Sequence, residues 1–427
     1  MRIGEQPAPA RPDNRIRPLG ALETYLADMH TGQLGATQFV CTAELAGGLD
    51  ESAADRALRA LTNRHPLLRT ELHRQDGCWW YVPTDLPPPW SIVSASDSFE
   101  GLVLAGERIN RPVAGPGPLW EATVLVDRRH ELSTLVFAAH HAITDGVSML
   151  TLAQQFVDTH NRVATGLPLN QPAFPRRAPI ERLLPPVARA TPPARCTAEE
   201  FVPGWAVERA APVAQRRIRT LWHTMGPADT AALLSRCRAE GVTVNSAIVA
   251  ALAVAAQRLP TSRDALSCLI PISVRDQTKP LVSALENGCF ITEVSLTLGP
   301  ADLAVPGWDR ARSIRERYLR LRAAALAAPT DFEHWPANEQ PDGPTFRRGS
   351  LVTNLGRGVP ATSGGPLRLT SFRFVVSPRH GVYAVSISVA TVAGRMVLGL
   401  SSADPLLGDS SAAAFAQAFT AELDPPR

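Results

Sequence analysis

The order of hydrophobic patterns along the chain limits the fold more than any other feature. Strand-like apolar runs are interspersed with runs spaced as one helical face, and this α/β alternation occurs twice. Between the two occurrences, residues 168–203 are dense in proline, with Pro185-Pro186 and Pro192-Pro193, and have little periodicity. Proline lacks the amide donor that helices and sheets use, so such a stretch connects elements rather than forming them. With 427 residues, 45% of them hydrophobic, the chain has enough apolar side chains for two cores. The expectation is an α/β (α+β) protein of two halves, residues 1–180 and 214–427, with a proline-rich linker over 181–213. Halves of similar size leave room for an old duplication, although no short repeat is visible.

Individual elements follow from local signals. Leu22, Tyr25, Leu26 and Met29 share one helical face. Asp50 can cap a helix whose inner face carries Ala54, Ala57, Leu58 and Leu61 and which stops before Pro66. A strand over 67–73, a turn at Asp76-Gly77 and a returning strand over 78–82 should follow. Apolar runs at 120–126 and 132–139, joined by Asp127-Arg128-Arg129-His130, read as a second hairpin. Beyond Gly146, the residues Val147, Leu150, Phe156 and Val157 continue as a helix. In the second half the patterns predict a helix over 245–257, a strand over 266–273 and a long helix through Ile314, Tyr318 and Leu321. Strands over 350–354, 370–376, 382–392 and 396–401 and a helix over 410–423 complete it.

The formal charge is +3 and the arginines are scattered rather than clustered, so no nucleic-acid partner is expected. Lys279 is the only lysine, which together with plentiful alanine and proline suits a high-GC bacterial coding sequence. Residues 1–17 lack the apolar stretch of a secretory signal, and no segment offers the roughly eighteen uninterrupted apolar residues of a membrane span. The expectation is a cytoplasmic protein without a transmembrane segment. The six cysteines, Cys41, Cys78, Cys196, Cys237, Cys268 and Cys289, form no CxxC pair and no compact cluster with histidine. They read as reduced core thiols, and no metal site is expected.

The chemistry-bearing segment is His140-His141-Ala142-Ile143-Thr144-Asp145-Gly146, placed where a buried strand gives way to a helix. It spells HHxxxDG and resembles the signature of the chloramphenicol acetyltransferase-like superfamily, which includes peptide-synthetase condensation domains and polyketide-associated acyltransferases. Other segments agree in order along the chain. Arg64-His65-Pro66-Leu67-Leu68-Arg69 resembles an early "RHPxLR" stretch, Gly241-Val242-Thr243-Val244-Asn245 the opening of a helix in the second half, and Pro271-Ile272-Ser273-Val274-Arg275 a "PxxxR" strand end. Asn287-Gly288 looks like the loop that follows, and Thr353-Asn354-Leu355-Gly356 like a late "TNxG" turn. The stretches at 243–245 and 353–356 look most like the phthiocerol dimycocerosyl transferases. The DFGWG motif of the plant acyltransferases is absent, so Coenzyme A as sole donor is not implied.

The resemblance implies two acetyltransferase-like halves in a V-shaped pseudodimer, with a central tunnel that admits donor from one face and acceptor from the other. It places a general base at His141, pairs Asp145 with Arg275 across the halves, makes Gly146 keep the channel open, and leaves His140 to hold local geometry. The chemistry suits histidine, whose imidazole titrates near neutrality and can take a proton from an attacking alcohol or amine and return it to a departing thiolate. Read from the residues alone, Asp145 could instead orient His141, and a zinc site from His140, His141 and Asp145 is conceivable. Against zinc, neighbouring strand residues face opposite ways and no second cluster supplies further ligands. Asn354 is either an oxyanion donor or a turn residue beside Gly356. Arg64, His65 and Arg69 read as packing and capping residues, and the histidines at 30, 73, 130, 160, 223, 334 and 380 have no motif around them.

The leading expectation is an acyltransferase that moves an acyl group from a carrier-protein or Coenzyme A thioester to a hydroxyl in lipid or polyketide assembly. The phosphopantetheine thioester is then a substrate and no cofactor is bound. An acyl or peptidyl carrier protein and a small-molecule alcohol or amine acceptor are the expected partners of a monomer. The alternatives are a free-standing condensation enzyme forming an amide in nonribosomal peptide synthesis, and a catalytically silent carrier-binding module.

Overall fold

The structure, a computed structural model, describes residues 16–97, 99–113, 115–185, 205–259, 265–327, 346, 349–358 and 364–423. The first half begins with β1 (Arg17–Pro18) and α1 (Ala21–Gly32), whose Leu22, Leu26 and Met29 face inward. After β2 (Phe39–Ala46) comes α2 (Glu51–Arg64), capped by the Asp50 carboxylate, which accepts the Ala53 N–H at 2.7 Å. The predicted strand at 67–73 starts later than expected. Residues Pro66–Arg69 tighten into a 3-10 turn, and β3 (Thr70–Gln75) begins only once that turn ends. The hairpin to β4 (Cys78–Pro83) turns through Asp76 and Gly77 at φ of 51° and 79°, the paired positive values of a two-residue turn that suits strand twist. Then follow β5 (Trp90–Ser94), α3 (Phe99–Asn110), β6 (Trp120–Asp127), β7 (Leu132–Ala139), α4 (Gly146–Ala164) and α5 (Ile180–Leu183).

The second half runs β8 (Arg217–Met225), α6 (Pro227–Ala239), α7 (Val244–Gln257), β9 (Leu266–Ser273), β10 (Ile291–Leu298), α8 (Pro300–Ala304) and α9 (Gly307–Ala327). It ends with β11 (Ser350–Arg357), β12 (Arg368–Val376), β13 (Val385–Val392), β14 (Arg395–Asp404) and α10 (Asp409–Leu423). The predicted strand at 382–392 starts at Val385, because the chain bends first at His380 and Gly381, where φ is 78°.

The strands form three sheets, ordered β1-β4-β3, β12-β2-β7-β6-β5 and β10-β9-β11-β13-β14-β8. In the middle sheet β12 pairs antiparallel with β2, Phe374 opposite Cys41, so a strand from after the linker completes a sheet begun before it. Two large cores result. One gathers Leu58, Val124, Phe137, Phe156 and Phe372, and the other Ile248, Leu252, Val352, Ile387, Leu398 and Phe419. A smaller cluster joins α1 to the second half: Leu22 and Leu26 pack with Ile180, Leu183, Val274, Val282 and Phe290. The expected linker is thus anchored where it is described. Arg177 pairs with Glu286 at 2.7 Å just ahead of it, Ile180 and Leu183 are buried, and beyond residues 186–204, which lie outside the described residues, Trp205 packs against Phe415.

Cys41, Cys237, Cys268 and Cys289 are buried free thiols. Cys78 is not a core thiol as expected, because it opens β4 beside the exposed hairpin turn, and Cys196 and His334 lie outside the described residues. No single helix among the described residues is long and apolar enough to cross a membrane.

Candidate active site

The buried strand β7 ends at Ala139, and the chain makes a 3-10 turn over His141–Ile143 before α4 begins. Backbone and side-chain bonds fix this turn at several points. The Ala142 N–H donates to Nδ1 of His140 at 3.0 Å, and the buried Tyr81 hydroxyl donates to the Ala142 carbonyl at 2.8 Å. The His140 N–H donates to the Leu119 carbonyl at 2.8 Å. Asp145 then caps α4 by accepting the Ser148 N–H at 2.8 Å.

His141 is only 7% exposed and forms part of the wall of a cavity of about 940 Å³. Its ring meets Phe39 edge-on at 4.6 Å, and Nδ1 lies 3.6 Å from Sγ of Cys289. Burial lowers its pKa below the ordinary histidine value, against the opposing pull of Asp145 and backbone carbonyls, so the imidazole is neutral at pH 7. A neutral ring is the form that can accept a proton. The Cys289 thiol is held in the opposite state for reactivity. Burial first, and then the Asp145 charge, push its pKa well above the ordinary value, so it stays protonated.

The Asp145 carboxylate does not orient His141. Its Oδ2 accepts Nη1 of Arg275 at 2.7 Å and the Phe290 N–H at 2.9 Å, and its Oδ1 accepts Nη2 at 3.1 Å beside the Ser148 N–H. Burial raises the Asp145 pKa, but the Arg275 charge and these hydrogen bonds outweigh it and hold the carboxyl below its ordinary value. Arg275 also donates to the Ser148 hydroxyl at 2.7 Å and lies over the Phe290 ring at 4.8 Å. This bidentate, buried pair ties the start of α4 to the end of β9, and it leaves neither carboxylate oxygen for a metal.

The cavity is walled by both halves: Leu22, Tyr25, Phe39 and Gly146 from the first, Ser273, Asn245, Tyr318 and Asn354 from the second. A Cβ on Gly146 would run into the Leu355 side chain on the facing wall, so glycine here makes room for that side chain's close approach. Asn354 lines the cavity, but its Oδ1 accepts the Gly356 N–H at 2.8 Å, which is the bond of a turn residue. His65 works in packing, sharing a hydrogen bond of 3.2 Å with Gln155 and accepting the Asn287 N–H at 3.4 Å. Sequence reasoning missed several residues. His380, left as ordinary, lines the cavity with Tyr383, and Cys289 and Tyr81 flank the histidine turn. No local pattern marks them, because each reaches the site through long-range packing. Only the second-half matches around Arg275 hinted that residues near 289 would face the motif.

Residues 36–176 match the family described as Condensation domain. A probable alcohol acetyltransferase of Aspergillus fumigatus is 25% identical over 321 residues, covering 67% of this chain and 68% of that protein. Among solved structures, the trichothecene 15-O-acetyltransferase of Fusarium sporotrichioides superposes with a TM-score of 0.73 at 14% identity, covering 95% of this chain and 94% of the other. Polyketide synthase associated protein 5 of Mycobacterium tuberculosis superposes with a TM-score of 0.69 at 18% identity, covering 96% and 98%. Residues 36–176 are thus similar to a condensation domain, and the chain has the chloramphenicol acetyltransferase-like fold that these structures share.

Proposed function

We propose that the protein transfers an acyl group from a phosphopantetheine thioester, borne by an acyl carrier protein or by Coenzyme A, to a hydroxyl acceptor, with His141 as the general base. The observation that carries this reading is a neutral, buried histidine in the wall of a large cavity lined by both halves of the chain. Nδ1 is the nitrogen against Cys289, which leaves Nε2 to take the acceptor's O–H proton as its oxygen attacks the thioester carbon. The tetrahedral oxyanion then collapses, the C–S bond breaks, and the same nitrogen returns the proton to the leaving thiolate. At about 940 Å³ the cavity is near the upper end for small-molecule sites and has room for the reacting ends of two substrates. The cavity is on this reading the tunnel in which donor and acceptor meet.

The Condensation match over residues 36–176 supports a second reading, in which the acceptor is an amine and the product an amide. The same base and cavity serve either acceptor. One experiment separates the readings: a single acyl chain is offered on free pantetheine, on Coenzyme A and on a carrier protein, with alcohols and amines as acceptors. Ester formed fastest from a carrier-bound or Coenzyme A thioester is the expected result. Amide as the main product supports the second reading, and acyl transfer only from a donor that is not a thioester would overturn both.

A further inference from the structure

Behind the histidine turn, two buried imidazoles face each other with complementary needs. His30, on α1, and His140 have ring centroids 4.2 Å apart and planes tilted by 36°. Nε2 of His30 lies 3.2 Å from the Val113 carbonyl, which can only accept, so this nitrogen carries the proton and Nδ1 of His30 keeps a lone pair. Nδ1 of His140 accepts the Ala142 N–H, so it is unprotonated and the ring hydrogen sits on Nε2. The two remaining nitrogens, Nδ1 of His30 and Nε2 of His140, are buried and have no hydrogen-bond partner among the described residues. One is an acceptor and the other a donor. Burial pushes His30 down to about 4 and His140 well below its ordinary value, so both rings are neutral at pH 7.

We propose that His30 is a positioning residue for His141, acting through His140: an N–H···N bond from Nε2 of His140 to Nδ1 of His30 locks the His140 tautomer that accepts the Ala142 N–H. The chain of polar contacts then runs from the Val113 carbonyl through His30 and His140 to the amide next to His141. Its far end is itself pinned, because the Val113 N–H donates to Oε1 of Gln38 at 2.7 Å, and Gln38 donates to the carbonyls of Arg108 and Arg111. At a centroid distance of 4.2 Å the rings are stacked, so the bond forms when they part and turn edge to edge, a movement favoured because leaving a buried donor and acceptor both unmade is costly. The other tautomer of His140 would set an N–H against the Ala142 N–H and loosen the turn that aims His141. Because α1 also lines the cavity through Leu22, Tyr25 and Leu26, His30 links the substrate wall to the base.

The functional part rests on the acyl-transfer reading, but the first test does not. In full-length protein with 15N-labelled histidine, nuclear magnetic resonance should find His140 protonated only at Nε2, with a coupling between that nitrogen and Nδ1 of His30. Absence of the coupling, or protonation at Nδ1 of His140, overturns the proposal whatever the reaction is. The second test compares His30→Phe, which keeps a flat ring without an acceptor, with His30→Asn, which restores an acceptor near the place of Nδ1. The Phe variant should mix His140 tautomers and lose about tenfold in kcat with KM within about twofold, and the Asn variant should recover most of the rate and the single tautomer. A His140 ring unchanged in the Phe variant, or equal rates in the two variants, would count against the positioning role.

Discussion

One imidazole that takes and returns a proton has a different signature when removed from a side chain that only packs. His141 touches Phe39 and Cys289 at the cavity wall, and its removal takes away little packing volume, so His141→Ala should keep the fold. Loss of a positioned base should lower kcat by at least about 100-fold. Rates and melting curves of the two proteins decide it, and activity above about a tenth of wild type would remove the base. The depressed pKa also has a sign for pH dependence. Burial favours the neutral ring, so His141 stays unprotonated to lower pH, and on the proposed mechanism the acid limb of kcat/KM should have its midpoint below 6.5. Asp145→Asn acts by another route, since it leaves the Arg275 guanidinium buried without its countercharge. A stability loss of roughly 3 to 5 kcal/mol is expected in urea unfolding, at least as prominent as the loss of rate. Stability within about 1 kcal/mol of wild type would argue that the pair is dispensable to the fold.

At the scale of elements, the short turn between β7 and α4 depends on groups from elsewhere, Tyr81 on β4 among them. Tyr81→Phe leaves the buried Ala142 carbonyl without its hydroxyl donor, a cost of about 1–3 kcal/mol, and should reduce kcat several-fold without raising KM. Denaturant midpoints and initial rates measure both effects; wild-type values for each would mean that the other bonds of the turn hold it without Tyr81. Elements with clean periodicity were legible in the chain: β7 and β9 fall on the predicted spans 132–139 and 266–273. Others gave no signal. β10 alternates polar residues as an edge strand paired only with β9, β5 is five residues long, and β8 carries charge along an exposed edge. α6 is rich in small residues with a weak apolar face, and α3 and β2 went unread. The motif marked where His141 stands, and the resemblance implied the Asp145–Arg275 pairing seen in the structure. His30, Tyr81, Cys289 and His380 could not be read in this way, because their place near the motif depends on which strands and helices pack together over distances no local pattern records.

On the scale of the whole molecule, folding buries several histidines in neutral form, and that sets a pH limit on stability. His30 lies between α1 and the histidine turn, and His65 sits at the end of α2 against Gln155 and Asn287. Burial lowers both from 6.5 to about 4 in the fold. In the unfolded chain each takes up a proton near 6.5, whereas in the folded protein it does so only near 4. Above 6.5 both states are neutral and pH has no effect through these groups. Between 6.5 and about 4 the unfolded state binds more protons, so stability falls as the pH is lowered. At about 1.4 kcal/mol per pH unit, each histidine accounts for a loss of about 2 kcal/mol by pH 5 and about 3 kcal/mol near pH 4. Depressed carboxylates such as Asp145 add their own loss only at lower pH, below the ordinary carboxyl value, whereas Glu181, whose pKa burial raises above 4.5, partly offsets the decline. Urea unfolding at pH 8, 6.5, 5.75 and 5 should give a plateau followed by a steady decline. In His65→Phe the plateau should drop, because the Asn287 N–H loses its acceptor, while the decline below pH 6.5 becomes shallower. An unchanged decline in that variant would mean that His65 is not among the groups that set it, and a flat profile in the wild type would mean that none of these histidines is held neutral by the fold.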